Sequence, residues 1–328
     1  MRRLLESRFF KRTRHIKSGG QHDLFLDSGP DVELDAATTR RGLDELFSLT
    51  GQYKTAQSYD NLLKFVANFR FYAPYNAMLV HIQMTGAKYV CSPTRWMDEF
   101  KRQIKPGARP LVILQPLGPV MFVFDVADTV ELPGAPPLPK EVESPFEVRG
   151  GKVGDQLEKT MENAIRDGVA ITPQHAGSQS AGQIGVATGR RSLHYQTRIK
   201  PKPEFIEVPL RYELLLNGTH SREAQYATLV HELAHLYCGH IGSPNPQWWP
   251  DRLHLNHDGN LCEFEAESVC YLVCRRLGID NPSDEYLAGY LKNHSEVPLI
   301  SLEAVMVTAN LIEKMGRERL KPRKEAKK

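Results

Sequence analysis

Long apolar runs are missing from this sequence, and none approaches the length a bilayer crossing needs. Cysteine is scarce, with 5 in 328 residues (Cys91, Cys238, Cys262, Cys270 and Cys274), and no pair has C-x-x-C spacing. That argues against a secreted disulfide framework and a zinc-cysteine cluster, and fits reduced thiols in a cytosol. An excess of one charge is also lacking, because 42 Lys and Arg stand against 39 Asp and Glu, a net charge of +3. The opening Met1-Arg2-Arg3-Leu4-Leu5 begins like a targeting segment, but Glu6, Arg8, Lys11, Arg12 and Arg14 interrupt it before an apolar stretch forms. The expectation is therefore a soluble, cytoplasmic chain without membrane contact.

What the chain does have is enough length for two domains, with apolar and charged fractions of 41% and 25% that are ordinary for globular proteins. Basic residues crowd the first 17 positions and the stretch from Arg317 to Lys328, so residues 1–30 and 316–328 are expected to be solvated basic tails. Between them the expected fold class is α+β: a small α+β domain over residues 31–150, then a mainly helical domain over 151–315.

In the first domain, helical periodicity runs through Leu62, Leu63, Phe65, Val66 and Phe69, and again through Ala77, Met78, Val80, His81 and Ile82, with Pro74 between. Lys88 to Cys91 reads as a strand. Ser92-Pro93 reads as an N-cap and first-turn pair opening a helix through Trp96 and Phe100. Leu111 to Leu114 and Val120 to Val126 read as a hairpin around Pro116-Leu117-Gly118-Pro119. From Leu132 to Pro145 prolines are dense and periodicity vanishes, as in a semi-rigid linker.

In the second domain, Asp155 caps a helix carrying Leu157, Met161, Ala164 and Ile165, and short strands follow at Val169 to Ile171, Ile184 to Ala187 and Phe205 to Val208. Helices are expected to dominate afterwards. One runs from Arg222 to Cys238, capped by Ser221 and stopped by Gly239; another runs from about Leu261 to Leu277, stopped by Gly278.

The first of these holds His231-Glu232-Leu233-Ala234-His235. Four-residue spacing sets both imidazoles on one helical face, where they can grip one ion, zinc above all. Glu232 is placed to take a proton from a water at that ion, as a general base must. A catalytic zinc takes three protein ligands and keeps a position open, so a third is sought on the next helix. At about 100° per residue Glu263 and Glu267 share a face while Glu265 points away. Glu263 is assigned as the third ligand and Glu267 as the carboxylate behind a ligand histidine, an order that could be reversed. Cys238 could also touch the ion. His240 misses the spacing of a third histidine ligand, with Gly239 one place late and His240 one place early; His254 and His257 are weaker candidates.

Leu229 to His235 with Glu263-Phe264-Glu265-Ala266-Glu267 resembles the ImmA/IrrE-type zincin peptidases. More fully, residues 40–315 resemble the ArdC-type antirestriction proteins, which join a single-stranded-DNA-binding domain to a zincin. In the first half the likeness rests on Tyr75-Asn76-Ala77-Met78-Leu79, Trp96 and Lys105 to Pro110. It implies that the leading glutamate of Glu263-x-x-Ala266 binds the metal, and that the substrate is a protein, such as a repressor or a DNA-bound protein.

Arg95, Lys101, Arg102, Lys105 and Arg109 lie among Tyr89, Trp96 and Phe100, a mixture suited to single-stranded DNA if the rings stack on bases. Core packing is the commoner fate of such rings; Phe71 and Tyr72 beside Arg70 pose the same choice. The rival to a zinc peptidase is a non-enzymatic DNA-binding antirestriction protein whose metal serves structure, recognisable by a fourth protein ligand such as Cys238 or Glu267. Tyr212, Tyr237 and Arg252 are the candidate donors to an oxyanion.

Overall fold

The computed structural model describes residues 50–323 apart from 116–119, 139–150, 175–181, 199–200 and 256. The expected amino-terminal tail falls outside this set, as do half of the expected linker and the tip of the expected hairpin. The expected carboxy-terminal tail is described as far as Arg323 and is no solvated end: Gly316 and Arg317 close the last helix, Leu320 is buried, and Arg319 and Arg323 pair with Glu162 and Asp167. The fold is α+β, in two compact units. One comprises Asn76–Glu147, and the other Gln52–Tyr75 with Val148–Lys328, as far as each is described.

The helical segment after residue 52, expected in the amino-terminal domain, thus belongs to the second unit. Its helix α1 (Ala56–Asn68) buries Tyr59, Leu62, Leu63 and Val66. The division falls within α2 (Pro74–Gln83), between Tyr75 and Asn76.

In the first unit β1 (Val90–Cys91) leads to α3 (Pro93–Phe100), where the Ser92 side chain accepts from Arg95 N and Pro93 opens the first turn. Strands β2 (Arg102–Ile104), β3 (Leu111–Ile113), β4 (Met121–Asp125) and β5 (Thr129–Glu131) follow. β4 pairs antiparallel with β1 and β3, and β2 with β5. Leu132 to Leu138 of the expected linker are described and form no strand or helix. The outer edge of β3 is closed by side-chain amides of α2. Asn76 exchanges two hydrogen bonds of 3.0 Å with the Leu114 backbone, and Gln83 exchanges bonds of 2.8 and 2.9 Å with Val112. An edge strand so covered cannot recruit another chain there.

The second unit holds α4 (Gln156–Ile165), β6 (Val169–Gln174), β7 (Gly182–Val186), β8 (Ser192–Arg198), β9 (Glu204–Pro209) and β10 (Tyr212–Asn217). Helices α5 (Arg222–Tyr237), α6 (Gly259–Leu277), α7 (Ser283–Asn293) and α8 (Leu302–Arg317) complete it. Asp155 stands at the start of α4 but makes no cap bond; it pairs instead with Lys159 at 2.7 Å.

Four strands escape the sequence reading, β2, β5, β8 and β10, and the last of these is central to its sheet. β10 pairs parallel with β6 and antiparallel with β7. Its Tyr212, Leu214 and Leu216 are buried, but Leu214-Leu215-Leu216 is a continuous apolar run and hides the alternation that betrays a strand.

α1 is fastened to α6 by Arg276, which donates to the carbonyls of Val66 (2.7 Å), Phe69 (3.0 Å) and Tyr72 (2.7 Å) and pairs with Glu313 of α8. These satisfy carbonyls that the end of α1 leaves without helical partners.

Candidate metal centre

Helix α5 starts where Ser221 Oγ accepts from Ala224 N at 3.2 Å and buries Leu229, Val230, Leu233, Ala234 and Leu236. That burial turns His231 and His235 toward α6. Their Nε2 atoms are 3.2 Å apart, and each is 3.4 Å from an oxygen of Glu263. One ligand atom from each residue lies within 4.8 Å of the others. The group is exposed on one side, since Glu263 retains half of its side-chain accessibility while His231 and His235 retain 20% and 14%.

Behind His231, Nδ1 is 3.5 Å from Glu267 Oε1. Glu263 and Glu267 therefore address opposite nitrogens of one ring, as two carboxylates one turn apart on a helix can.

Electrostatics tie the cluster together. Hydrogen bonds from His231 and His235 hold the Glu263 carboxyl well below the usual carboxylate range. Burial opposes charge on His231, but bonding to Glu263 and the nearby Glu267 charge outweigh it and raise its pKa to about 9. Burial raises the pKa of Glu232, against the pull of both histidines and a hydrogen bond from the Ile184 backbone. A partly desolvated carboxylate with a raised pKa is a better proton acceptor than one in water.

Two imidazole nitrogens and a carboxylate oxygen, converging on one point with an open side, suit zinc. The hydrogens these groups share are what a cation would displace. The residues thus fit the ion.

Strand β7 lies against the motif. A Cβ on Gly182 would come within 2.6 Å of Thr228 Cγ2 and 3.5 Å of Glu232 Cγ, so only glycine allows this approach to α5. Among the described residues β7 is paired on one side, to β10.

Cys238, His240 and Glu265 form a second group of close donors. The Arg252 guanidinium clasps Glu265 at 2.6 and 2.8 Å and donates to the Cys238 carbonyl at 3.2 Å, so this cluster already contains its cation. Cys238 Sγ faces Thr308 Oγ1 at 3.5 Å rather than the histidine pair. His254 and His257 join neither group.

The three candidate oxyanion donors are engaged elsewhere. Tyr237 donates to Asp167 (2.9 Å), Tyr212 to the Gly242 carbonyl (3.4 Å), and Arg252 to Glu265. Tyr237 follows His235 by two residues, which on a helix turns it to the far side.

In the first unit, Tyr89, Trp96 and Phe100 form a buried cluster with ring centroids 5.3 to 5.8 Å apart, and Trp96 Nε1 donates to the Phe124 carbonyl at 2.8 Å. They are core, not stacking platforms. Arg95 pairs with Glu99, Arg102 with Thr129 and Glu131, and Lys105 with the Ala127 carbonyl. Lys101 and Arg109 are exposed. In the second unit Phe69 packs against both Phe71 and Tyr72, placing those rings in a cluster of their own.

No family model matches the chain, and no curated protein matches it. Among solved structures, a crystal structure of the antirestriction protein ArdC from plasmid R388, in metal-free form, is similar. The similarity covers 74% of this chain and 81% of that one, at 15% identity and a TM-score of 0.29. At that level the likeness carries no chemistry, which rests on the side chains.

No helix among the described residues is long and apolar enough to cross a membrane.

Proposed function

We propose that the second unit is a zinc-dependent peptidase, with His231, His235 and Glu263 as metal ligands and Glu232 as general base. The observation that carries this reading is the convergence of three helical donors, and among the described residues only three, beside a partly buried carboxylate. Bound zinc supplies Lewis acidity toward a peptide carbonyl and a water. Glu232 accepts the proton of the attacking water and passes it to the departing amine. The hydrogen bond from the Ile184 backbone fixes that carboxylate beside β7. Among the described residues no strand pairs with the second edge of β7, which is suited to take an extended peptide as an added strand and bring its backbone alongside the base.

A metal that merely held the fold together would be enclosed by four protein ligands. Cys238 belongs to the other cluster, and Glu267 lies on the far side of His231, so neither is placed to close the sphere. This supports an enzyme over a DNA-binding protein with a structural ion. The substrate class is protein in the cytoplasm; repressors and DNA-bound proteins are the first to test, given the resemblance of the motif residues.

The test is Glu232→Gln, which keeps the shape of the side chain and removes the base. The variant should retain zinc and unfold like the natural chain, yet fail to cleave any protein the natural chain cleaves. Undiminished cleavage would take Glu232 out of the mechanism.

A further inference from the structure

We infer that the buried series Arg252, Glu265 and His240 positions His235, fixing which nitrogen of its ring faces Glu263. The inference rests on the reading of His235 as a metal ligand.

The series begins in the way α5 ends. Gly239, in the left-handed region at φ 86°, follows the cap residue Cys238. Its N–H bonds the Leu236 carbonyl at 3.0 Å, and the next N–H, of His240, bonds the His235 carbonyl at 3.0 Å. This is the pairing of a Schellman turn, in which the second residue past the cap folds back onto the third-last residue of the helix. Usually that contact is between two apolar side chains; here it is between two imidazoles. His240 Nδ1 lies 3.1 Å from His235 Nδ1. The one-residue displacement that disqualifies His240 as a third histidine ligand is what sets it against the back of the second.

The polarity of each bond then follows. Glu265 and His240 are both buried, with side-chain exposures of 0% and 1%. The carboxylate receives both Arg252 nitrogens, the Ser301 backbone N–H at 2.7 Å and His240 Nε2 at 2.9 Å. An ionised carboxylate only accepts, so the hydrogen in the last bond is on His240 Nε2. Arg252 already balances Glu265, and a second buried cation there would have no anion of its own. His240 is therefore neutral, with a lone pair on Nδ1, and His235 Nδ1 donates to it. With a hydrogen held on Nδ1, Nε2, the atom 3.4 Å from Glu263 and 3.2 Å from His231 Nε2, is the nitrogen left to offer its lone pair once an ion displaces the hydrogen shared with Glu263. A ligand nitrogen needs that lone pair free. His231 receives corresponding support from Glu267 directly; His235 receives it through an additional ring.

The test compares His240→Phe, which keeps a ring but offers no acceptor, with His240→Asn, whose Oδ1 can stand where Nδ1 stood. Both withdraw a donor from Glu265, so metal-free thermal unfolding should fall by similar amounts in the two variants. Zinc affinity of the full chain, measured by competition with a chromogenic chelator, should drop about 10- to 100-fold in His240→Phe and recover most of that loss in His240→Asn. The visible spectrum of the cobalt-loaded protein should shift in the first variant and return in the second. Natural affinity in His240→Phe, or equal losses in both variants, would overturn the positioning role. Failure of the natural chain to bind zinc at all would instead overturn the metal reading and this inference with it.

Discussion

Tyr59 of α1 donates a 2.8 Å hydrogen bond to Ser268 Oγ of α6, one residue beyond Glu267, and both side chains are fully buried. The helix that carries two of the site's carboxylates is thus braced by a residue 209 positions earlier, within the same compact unit. A fragment beginning at residue 151 should therefore unfold at much lower denaturant than one that retains residues 52–75 joined by a linker. Arg276→Ala, which leaves three carbonyls without their donor and Glu313 with Arg317 alone, should cost about 3–5 kcal/mol. Urea unfolding of the full chain measures it, and a loss under 1 kcal/mol would mean that α1 is only loosely attached.

The purified chain should hold about one zinc ion, since two histidines and one carboxylate suffice for an open site. Elemental analysis after dialysis gives the ratio. Retention of full zinc by a His231→Ala, His235→Ala double variant would refute the assignment of those ligands.

Glu263 and Glu267 should separate by degree. Replacing Glu263 with alanine removes a ligand and should abolish stable zinc binding, whereas Glu267→Ala should leave a site weakened about 10- to 100-fold. A larger loss from Glu267 than from Glu263 would reverse the order of the two carboxylates.

Asp167 predicts how stability depends on pH. Burial alone would raise its pKa, but hydrogen bonds from Arg323 and the charge of Arg166 outweigh burial and hold it below the ordinary carboxylate value. A folded pKa below the unfolded one means stabilisation that is complete above the unfolded value of about 3.9 and is lost as pH falls through the folded value. The stability gap between the natural chain and Asp167→Asn should be flat from about pH 7 to 5 and narrow below about pH 4. A gap that widened on acidification would contradict the sign.

Single-stranded DNA is proposed as a partner of the first unit, with the rings excluded from contact. Binding carried by phosphate neutralisation at Lys101 and Arg109 predicts a salt dependence with a log-log slope of about −1.4, at roughly −0.7 per contact. Fluorescence anisotropy with the full chain measures it. Replacing both residues by glutamine should flatten the slope, and an unchanged slope would place the strand elsewhere.

Much of the site was legible before the fold. Two histidines four apart, with Ser221 before and Gly239 after, define a helix and its ligand face through local geometry alone. The same 100° arithmetic separates Glu263 and Glu267 from Glu265. α3 was equally legible, because Ser92-Pro93 acts within a single turn.

Three things depended on contacts distant in sequence. β10 is a strand because β6 and β7 pair with it, although its own pattern is a plain apolar run. Residues 52–75 join the second unit because Arg276, some 200 residues later, donates to their carbonyls. Glu265 looked like the misdirected carboxylate of its helix, and by direction it is: it faces the interior. What gives that direction meaning is Arg252, arriving from a loop to balance its charge, and His240, folded back by Gly239 to reach His235. Helical periodicity can say that a charged residue points inward. Only tertiary structure decides whether a partner waits there, because the desolvation that makes an unpaired buried charge so costly is relieved by groups whose positions the local sequence does not encode.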